Sequence, residues 1–318
     1  MGGSANARGG VPCLPNTPPN FRLMSLRRVL VTGAGGLLGG QVASLVGRRF
    51  DVVAARHVTA PPPGMIEVEL DLLDARSIAS ALERTRPDAV VHCAAQSNPD
   101  RCEQDPEPAR RLNVDATAAL ARACRQHGLR LVALSTDLVF AGDRSFVSEE
   151  DAAGPHLVYG QTKLEGEDAA LAEAPDAAVL RVALVAGRGH GAKGTSTESV
   201  AWVLRAGRPV NLYIDQIRTP VDSASVADAV VRALERPVAG RFHLGGPERV
   251  SRYDLGLRVA MVLGLSAAGI TPVTTAQMPQ AARRPADTSL DTSRARRELD
   301  WTPRSLADAI RDGRSAPD

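Results

Sequence analysis

The chain has no charge of either sign to spare. Its 38 Lys plus Arg stand against 36 Asp plus Glu, a net charge of +2 over 318 residues. That balance excludes the broad basic face that nucleic acid or an anionic membrane surface requires. Cysteines are few. Cys13, Cys93, Cys102 and Cys124 form no CxxC pair and have no histidine cluster beside them, which argues against a disulfide scaffold and against a metal site. No apolar run reaches the roughly 20 residues of a membrane helix, and no positively charged start leads into an apolar signal region. Internal repeats are lacking too. The expected setting is a reducing cytoplasm, with no nucleic acid, membrane or metal among the partners.

What remains is an ordinary globular composition, 44% hydrophobic and 23% charged, long enough to bury a large core. Residues 1–26 are rich in Gly, Pro and Asn and carry no hydrophobic period, which predicts a disordered extension, with Met24 a candidate start. From Arg28 onward short β-branched runs (RVLVTG, DVVAAR, DAVVHCAA, LRLVALS, AAVLRVAL) alternate with longer Ala/Leu/Arg segments of helical period. Such alternation predicts an α/β fold, a doubly wound parallel Rossmann sheet with helices on both faces. After Leu184 the regularity fades into the Gly-rich GRGHGAKGTSTE. The scattered segments beyond it, RFHLGG among them, are expected to form a smaller, discontinuous C-terminal α/β domain over the carboxyl edge of the sheet.

The first chemical signal is VLVTGAGGLLGG, which sets Gly33, Gly36 and Gly39 at GxxGxxG spacing between a strand and a helix. That context asks for a tight turn, close approach of backbone to a pyrophosphate, and phosphates at a helix N-terminus. Dinucleotide binding follows. The cofactor's 2′ position is read at the tip of the second strand, by an acid for NAD or an arginine for NADP. Here the tip carries Arg56 and His57 and no carboxylate, so NADP(H) is preferred, with NAD(H) possible. Asp71, after the third strand, is a candidate acceptor for the adenine amino group; as a helix cap it would need no ligand.

LVALSTDLVF ends an apolar strand in Ser135, Thr136 and Asp137. Such residues cap turns and helices, but the carboxyl edge of an open sheet is also where ligands bind. Downstream, Tyr159 and Lys163 in VYGQTKLEGE are four residues apart and share a helix face. A lysine beside a tyrosine stabilises the phenolate and offers donors to ribose hydroxyls.

A glycine turn, a Ser/Thr at the end of a middle strand and YxxxK at the head of the next helix resemble the short-chain dehydrogenase/reductase superfamily in its extended form. VVHCAAQSNPDRCEQDP, STDLVF, DQIRTPV and RRPADTSLDTSRARRELDWTP, across Arg28 to Asp312, look most similar to the dTDP-4-dehydrorhamnose reductase family. The resemblance implies an NAD(P)-binding Rossmann domain at 27–181 plus about 216–237, and a substrate-binding domain at about 182–215 plus 238–318. It implies hydride transfer to a keto carbon of a nucleotide-linked 4-keto-6-deoxysugar. Tyr159 is then the general acid, Thr136 bonds the same oxygen with Ser135 its nearest rival, and Lys163 holds the ribose and tunes Tyr159. Ala94, Ala95 and Asn113 fall at cofactor positions and Gln96, Asp137, Arg218 and Arg284 at substrate positions, the arginines on the diphosphate. Nucleotide-sugar dehydratases carry Asp-Glu where this chain has Asp137-Leu138, so elimination is disfavoured. Leu184 replaces a tryptophan that stacks on the sugar in rhamnose reductases. The alternatives are a non-catalytic, NADP-binding regulatory subunit like that of methionine adenosyltransferase, and a nucleotide-sugar 4-epimerase. A homodimer is possible for any of these.

Overall fold

A computed structural model describes residues 26–191, 194–278 and 282–313. The amino-terminal extension expected to be disordered lies, except for Leu26, outside them. The strands are β1 (Arg28–Thr32), β2 (Asp51–Arg56), β3 (Ile66–Glu69), β4 (Ala89–His92), β5 (Arg130–Thr136), β6 (Ala178–Val182), β7 (Val185–Ala186), β8 (Val210–Tyr213), β9 (Ile217–Arg218), β10 (Val221–Asp222), β11 (Gly240–Leu244), β12 (Val250–Ser251) and β13 (Ile270–Val273). The helices are α1 (Leu37–Val46), α2 (Ala75–Thr85), α3 (Pro99–Gln104), α4 (Pro106–Arg110), α5 (Ala116–His127), α6 (Val158–Glu173), α7 (Ser196–Arg205), α8 (Ser223–Glu235), α9 (Arg252–Leu263), α10 (Ser293–Glu298) and α11 (Leu306–Asp312).

The main sheet has seven strands in the order β3-β2-β1-β4-β5-β6-β11, and every pairing in it is parallel. β4, β5 and β6 are buried along their whole length, as strands covered on both faces must be. The cover is two apolar layers. One holds α1 and α8, which pack against each other; the other holds α2, α5 and α6. Strand order reverses between β1 and β4, and a crevice opens there at the strands' carboxyl ends.

A third apolar cluster joins Val200 and Leu204 of α7, Leu255 and Val259 of α9, and Leu306 and Ile310 of α11. One expected boundary needs correction. Gly240–Leu244, expected in the substrate domain, is β11, the outermost strand of the main sheet, paired in parallel with β6. A parallel partner needs a helical crossover, and α8, which packs on the sheet side against α1, provides it. The chain returns to the main sheet later than hydrophobic spacing suggested.

Candidate active site

The first turn is built by backbone. Gly33 sits at φ +67°, and a Cβ there would meet the Ala94 nitrogen at 2.6 Å. The Gly36 amide closes the turn on the Gly33 carbonyl at 2.9 Å, and Gly36 is the N-cap of α1. A Cβ on Gly39 would come within 2.2 Å of the same carbonyl. Gly33 and Gly39 therefore answer to close approaches that a larger residue forbids, while a Cβ on Gly36 would only crowd the Gly33 carbonyl at 3.1 Å.

A cleft of about 990 Å³ runs from this turn across the carboxyl ends of the strands. Its wall includes Gly33, Gly36 and Gly39, Asp71, Ala94, Ala95 and Gln96, then Thr136, Tyr159 and Lys163, and finally Arg284. Residues from segments far apart in the chain are thus brought to one surface. Four other expected site residues, Arg56, Asn113, Asp137 and Arg218, are not among the described residues of the wall. Arg56 is engaged by Glu67 across the β2–β3 edge at 3.0 Å, while His57, Val58 and Thr59 reach the cleft. Asn113 is fully buried on a single π-helical turn, Arg111–Asp115. Its amide accepts from the Gln96 backbone N–H at 2.9 Å and donates to the Gln96 carbonyl at 3.2 Å and to Thr162 at 3.0 Å. It clamps the Ala94–Gln96 segment that forms the wall. Asp71 accepts from the Leu73 amide at 2.9 Å, a local turn bond that leaves its second carboxylate oxygen available.

At the centre, Thr136 ends β5 and caps the short 3₁₀ turn Asp137–Val139, its hydroxyl accepting from the Leu138 amide at 3.2 Å. The cap and the site residue are one and the same. Tyr159 stands at the head of α6, whose first free amide, that of Val158, donates to Glu103 at 2.7 Å. Gly160 lets this helix end press on the Leu138 carbonyl, which a Cβ would approach to 2.2 Å. Burial pushes the Tyr159 phenol well above its ordinary value; a hydrogen bond with Thr136 opposes the shift, and the charge of Asp137 adds to it. Lys163 donates to the Leu134 carbonyl at 2.8 Å, and burial lowers its ammonium to about 8 against the pull of Glu167. Ser135, the rival of Thr136, is committed elsewhere, donating to Glu167 at 2.5 Å.

The substrate end is denser in charge. Asp137 is buried, accepts from Thr288 at 2.6 Å and lies 3.8 Å from Arg218; burial raises its carboxyl, and Arg218 and the two threonines oppose that. Arg218 is itself buried and donates to the Ile217, Ala286 and Pro285 carbonyls at 2.6, 3.3 and 3.0 Å. Arg284 is held by both oxygens of Asp100 on α3, at 2.7 and 2.8 Å. Sequence reasoning missed Glu103, Asp100 and Glu167. Only Glu167 had a readable signal, one helical turn past Lys163 on the same face.

A doubly wound parallel sheet, a glycine turn at its reversal point and a Thr-Tyr-Lys group in the same crevice define the extended short-chain dehydrogenase/reductase, a class of NAD(P)-dependent oxidoreductases. Within that class the chain belongs to the family described as the RmlD substrate binding domain, whose model matches residues 27–313. Among its relatives is a probable low-salt glycan biosynthesis reductase, Agl14, of Haloferax volcanii, 34% identical and covering 88% of this chain and 95% of that protein. Another is the methionine adenosyltransferase 2 subunit beta of Bos taurus, 33% identical over 84% and 81%. Among solved structures, a hypothetical dTDP-4-dehydrorhamnose reductase from Sulfolobus tokodaii superposes with a TM-score of 0.77 at 30% identity, covering 88% of this chain and 98% of its own.

Proposed function

We propose that this chain is an NAD(P)H-dependent reductase of a nucleotide-linked 4-keto-6-deoxysugar, with NADP(H) the preferred cofactor and NAD(H) accepted. The observation that carries the reading is the meeting of Thr136, Tyr159 and Lys163 with the glycine turn in one cleft. The cleft suits a dinucleotide: its glycines leave backbone where side chains would collide, and the N-terminus of α1 faces the turn. Gly33 and Gly36 hold the pyrophosphate, Asp71 the adenine amino group and Lys163 the ribose hydroxyls. Arg56 and His57 answer a 2′-phosphate; the Arg56–Glu67 pair is half exposed and costs little to open.

When bound, the reduced nicotinamide supplies the hydride that the keto carbon accepts. Tyr159 gives its proton to the forming alkoxide, and Thr136 bonds the same oxygen. Burial keeps Tyr159 protonated at neutral pH, the form a proton donor needs. Leu138, beside Asp137, leaves the turn after β5 with no second acid, which favours reduction over elimination of water. The similarity to the Bos taurus subunit supports a second reading, a nucleotide-binding regulatory subunit without turnover; the intact Thr136, Tyr159 and Lys163 weigh against it.

The test is NADPH consumption with a panel of nucleotide-linked 4-keto-6-deoxysugars, wild type beside Tyr159→Phe. The reading expects turnover on at least one sugar and a loss of about 10²–10⁴-fold in the variant. No turnover on any sugar, with NADPH still bound, favours the regulatory subunit.

A further inference from the structure

Behind the cleft wall runs a chain of buried hydrogen bonds that the chemistry above leaves unused, and His92 stands in the middle of it. His92 is the last residue of β4 and is paired with Thr32 of β1. It is 1% exposed. Burial and the charge of Lys163 lower its ring to about 3, so it is neutral and carries a single N–H. Its Nδ1 lies 2.8 Å from the Thr32 hydroxyl and its Nε2 3.1 Å from the Thr117 hydroxyl.

Counting protons gives this chain a direction. Thr117 spends its one hydroxyl proton on the Asn113 carbonyl at 2.8 Å, because a carbonyl can only accept. Nε2 therefore carries the ring proton and donates to Thr117, and the bare Nδ1 accepts from Thr32. The Thr32 hydroxyl in turn accepts a long bond from the Ala94 amide at 3.4 Å. At the other end the Asn113 side chain holds both backbone groups of Gln96 and donates to Thr162, whose hydroxyl bonds the Tyr159 carbonyl at 3.1 Å. One ring thus links the two ends of Ala94–Gln96 and, beyond them, the head of α6. The fit leaves little slack: a Cβ on Gly33 would lie 2.6 Å from the Ala94 nitrogen, so the depth of the wall and the shape of the glycine turn depend on each other.

We infer that His92 is a positioning residue for cofactor binding, which sets the Ala94–Gln96 wall through Thr32 on one side and through Thr117 and Asn113 on the other. This rests on the reading of the cleft as the dinucleotide site. His92 is not among the described residues of the wall, whereas Thr32, Ala94, Ala95 and Gln96 are, so it acts through them. Without the ring, Thr32 loses its acceptor and Thr117 its donor in a buried layer. Polar groups stranded there cost free energy, and the wall they support shifts to relieve it.

The probe is NADPH, titrated calorimetrically into the full chain, with thermal unfolding beside it. His92→Leu, which neither donates nor accepts, should weaken NADPH by about 10-fold, the scale of one lost buried bond. Thr117→Val, one step further from the cleft, should weaken it by about threefold, and the two losses should not add in the double variant because they break one chain. His92→Gln keeps a donor and an acceptor and should recover most of the affinity. Nitrogen resonances of the wild-type ring, identified by their loss in His92→Gln, should show the neutral Nε2–H form at pH 7. NADPH affinity within about twofold of wild type in His92→Leu, with a fall in melting temperature or without one, overturns the inference, since a purely structural ring moves stability alone. Should His92→Leu not fold, Thr117→Val decides by the same criterion. An Nδ1–H ring, or a His92→Gln as weak as His92→Leu, also overturns it. If the wild type binds no NADPH, the dinucleotide reading fails and the inference fails with it.

Discussion

Two buried charge clusters flank β5, and they differ in completeness. Below Ser135, Glu167 accepts from Ser135, from Arg181 at 2.8–3.1 Å and from Arg241 at 2.8 Å. Arg181 reaches His243 at 3.4 Å, whose amide in turn donates to Glu149 at 2.7 Å. Beyond Asp137, by contrast, Arg218, Arg252 and Arg284 face few carboxylates, and Arg252 Nη1 has no partner. Both clusters occupy the same edge of the same sheet. A closed network contributes to the fold, whereas an open one leaves part of its burial cost uncompensated.

The largest effect is expected from breaking the closed cluster. Glu167→Ala would leave Arg181, whose side chain is 3% exposed, as an uncompensated buried charge, at a cost of about 3–5 kcal/mol. Urea denaturation would read this as a lowered midpoint at unchanged slope. Removing Arg218 comes next. Arg218→Met would strand buried carbonyls of Ile217, Ala286 and Pro285 and should cost about 3 kcal/mol, while Arg252→Gln should cost nothing measurable in the same assay. Equal losses in the two variants would erase the distinction between a paired and an unpaired arginine.

Acid should attack the closed cluster first. Burial and the Arg181 charge beside it lower His243 to about 4, opposed by its bond to the Val147 backbone and by the charge of Glu167. Between that value and the ordinary 6.5 the unfolded chain binds a proton that the folded chain does not, so stability falls as pH drops through this window. The slope is about 1.4 kcal/mol per pH unit for each such proton. Burial alone would raise Glu167, but its bonds to Arg181, Ser135 and Arg241 hold it below its ordinary value. Its contribution is present above about 4.5 and is lost as pH falls further. Unfolding followed from pH 7 to 4 should show this loss, and His243→Gln should flatten its upper part. The smallest effect belongs to the open cluster's exposed clamp. Asp100→Asn should change stability by less than about 1 kcal/mol, since its carboxylate is 42% exposed, yet it should lower the KM for the sugar nucleotide by releasing Arg284.

What could be read from the sequence follows the same division. The glycine turn, Thr136 and the Tyr159–Lys163 pair are encoded by short spacings, in which strand or helix period alone puts side chains together. Sheet class was legible because strand–helix alternation dictates it. β11 was not, because its place depends on a crossover through α8. The arginine cluster was half legible. Arg218 and Arg284 came from resemblance, but their different states depend on carbonyls and on Asp100 contributed by other segments. Arg252 gave no signal at all; in the structure it sits between Ser251 and Asp254, which form the capping box of α9.

The most direct test of the central claim follows the hydride itself. The wild type would be incubated with NADPH deuterated at nicotinamide C4 on the transferred face and with a 4-keto-6-deoxysugar nucleotide that it turns over, beside Tyr159→Phe. The account predicts deuterium at sugar C4 in the wild-type product and almost no product from the variant. A product without the label, or an equal labelled yield from Tyr159→Phe, would contradict it.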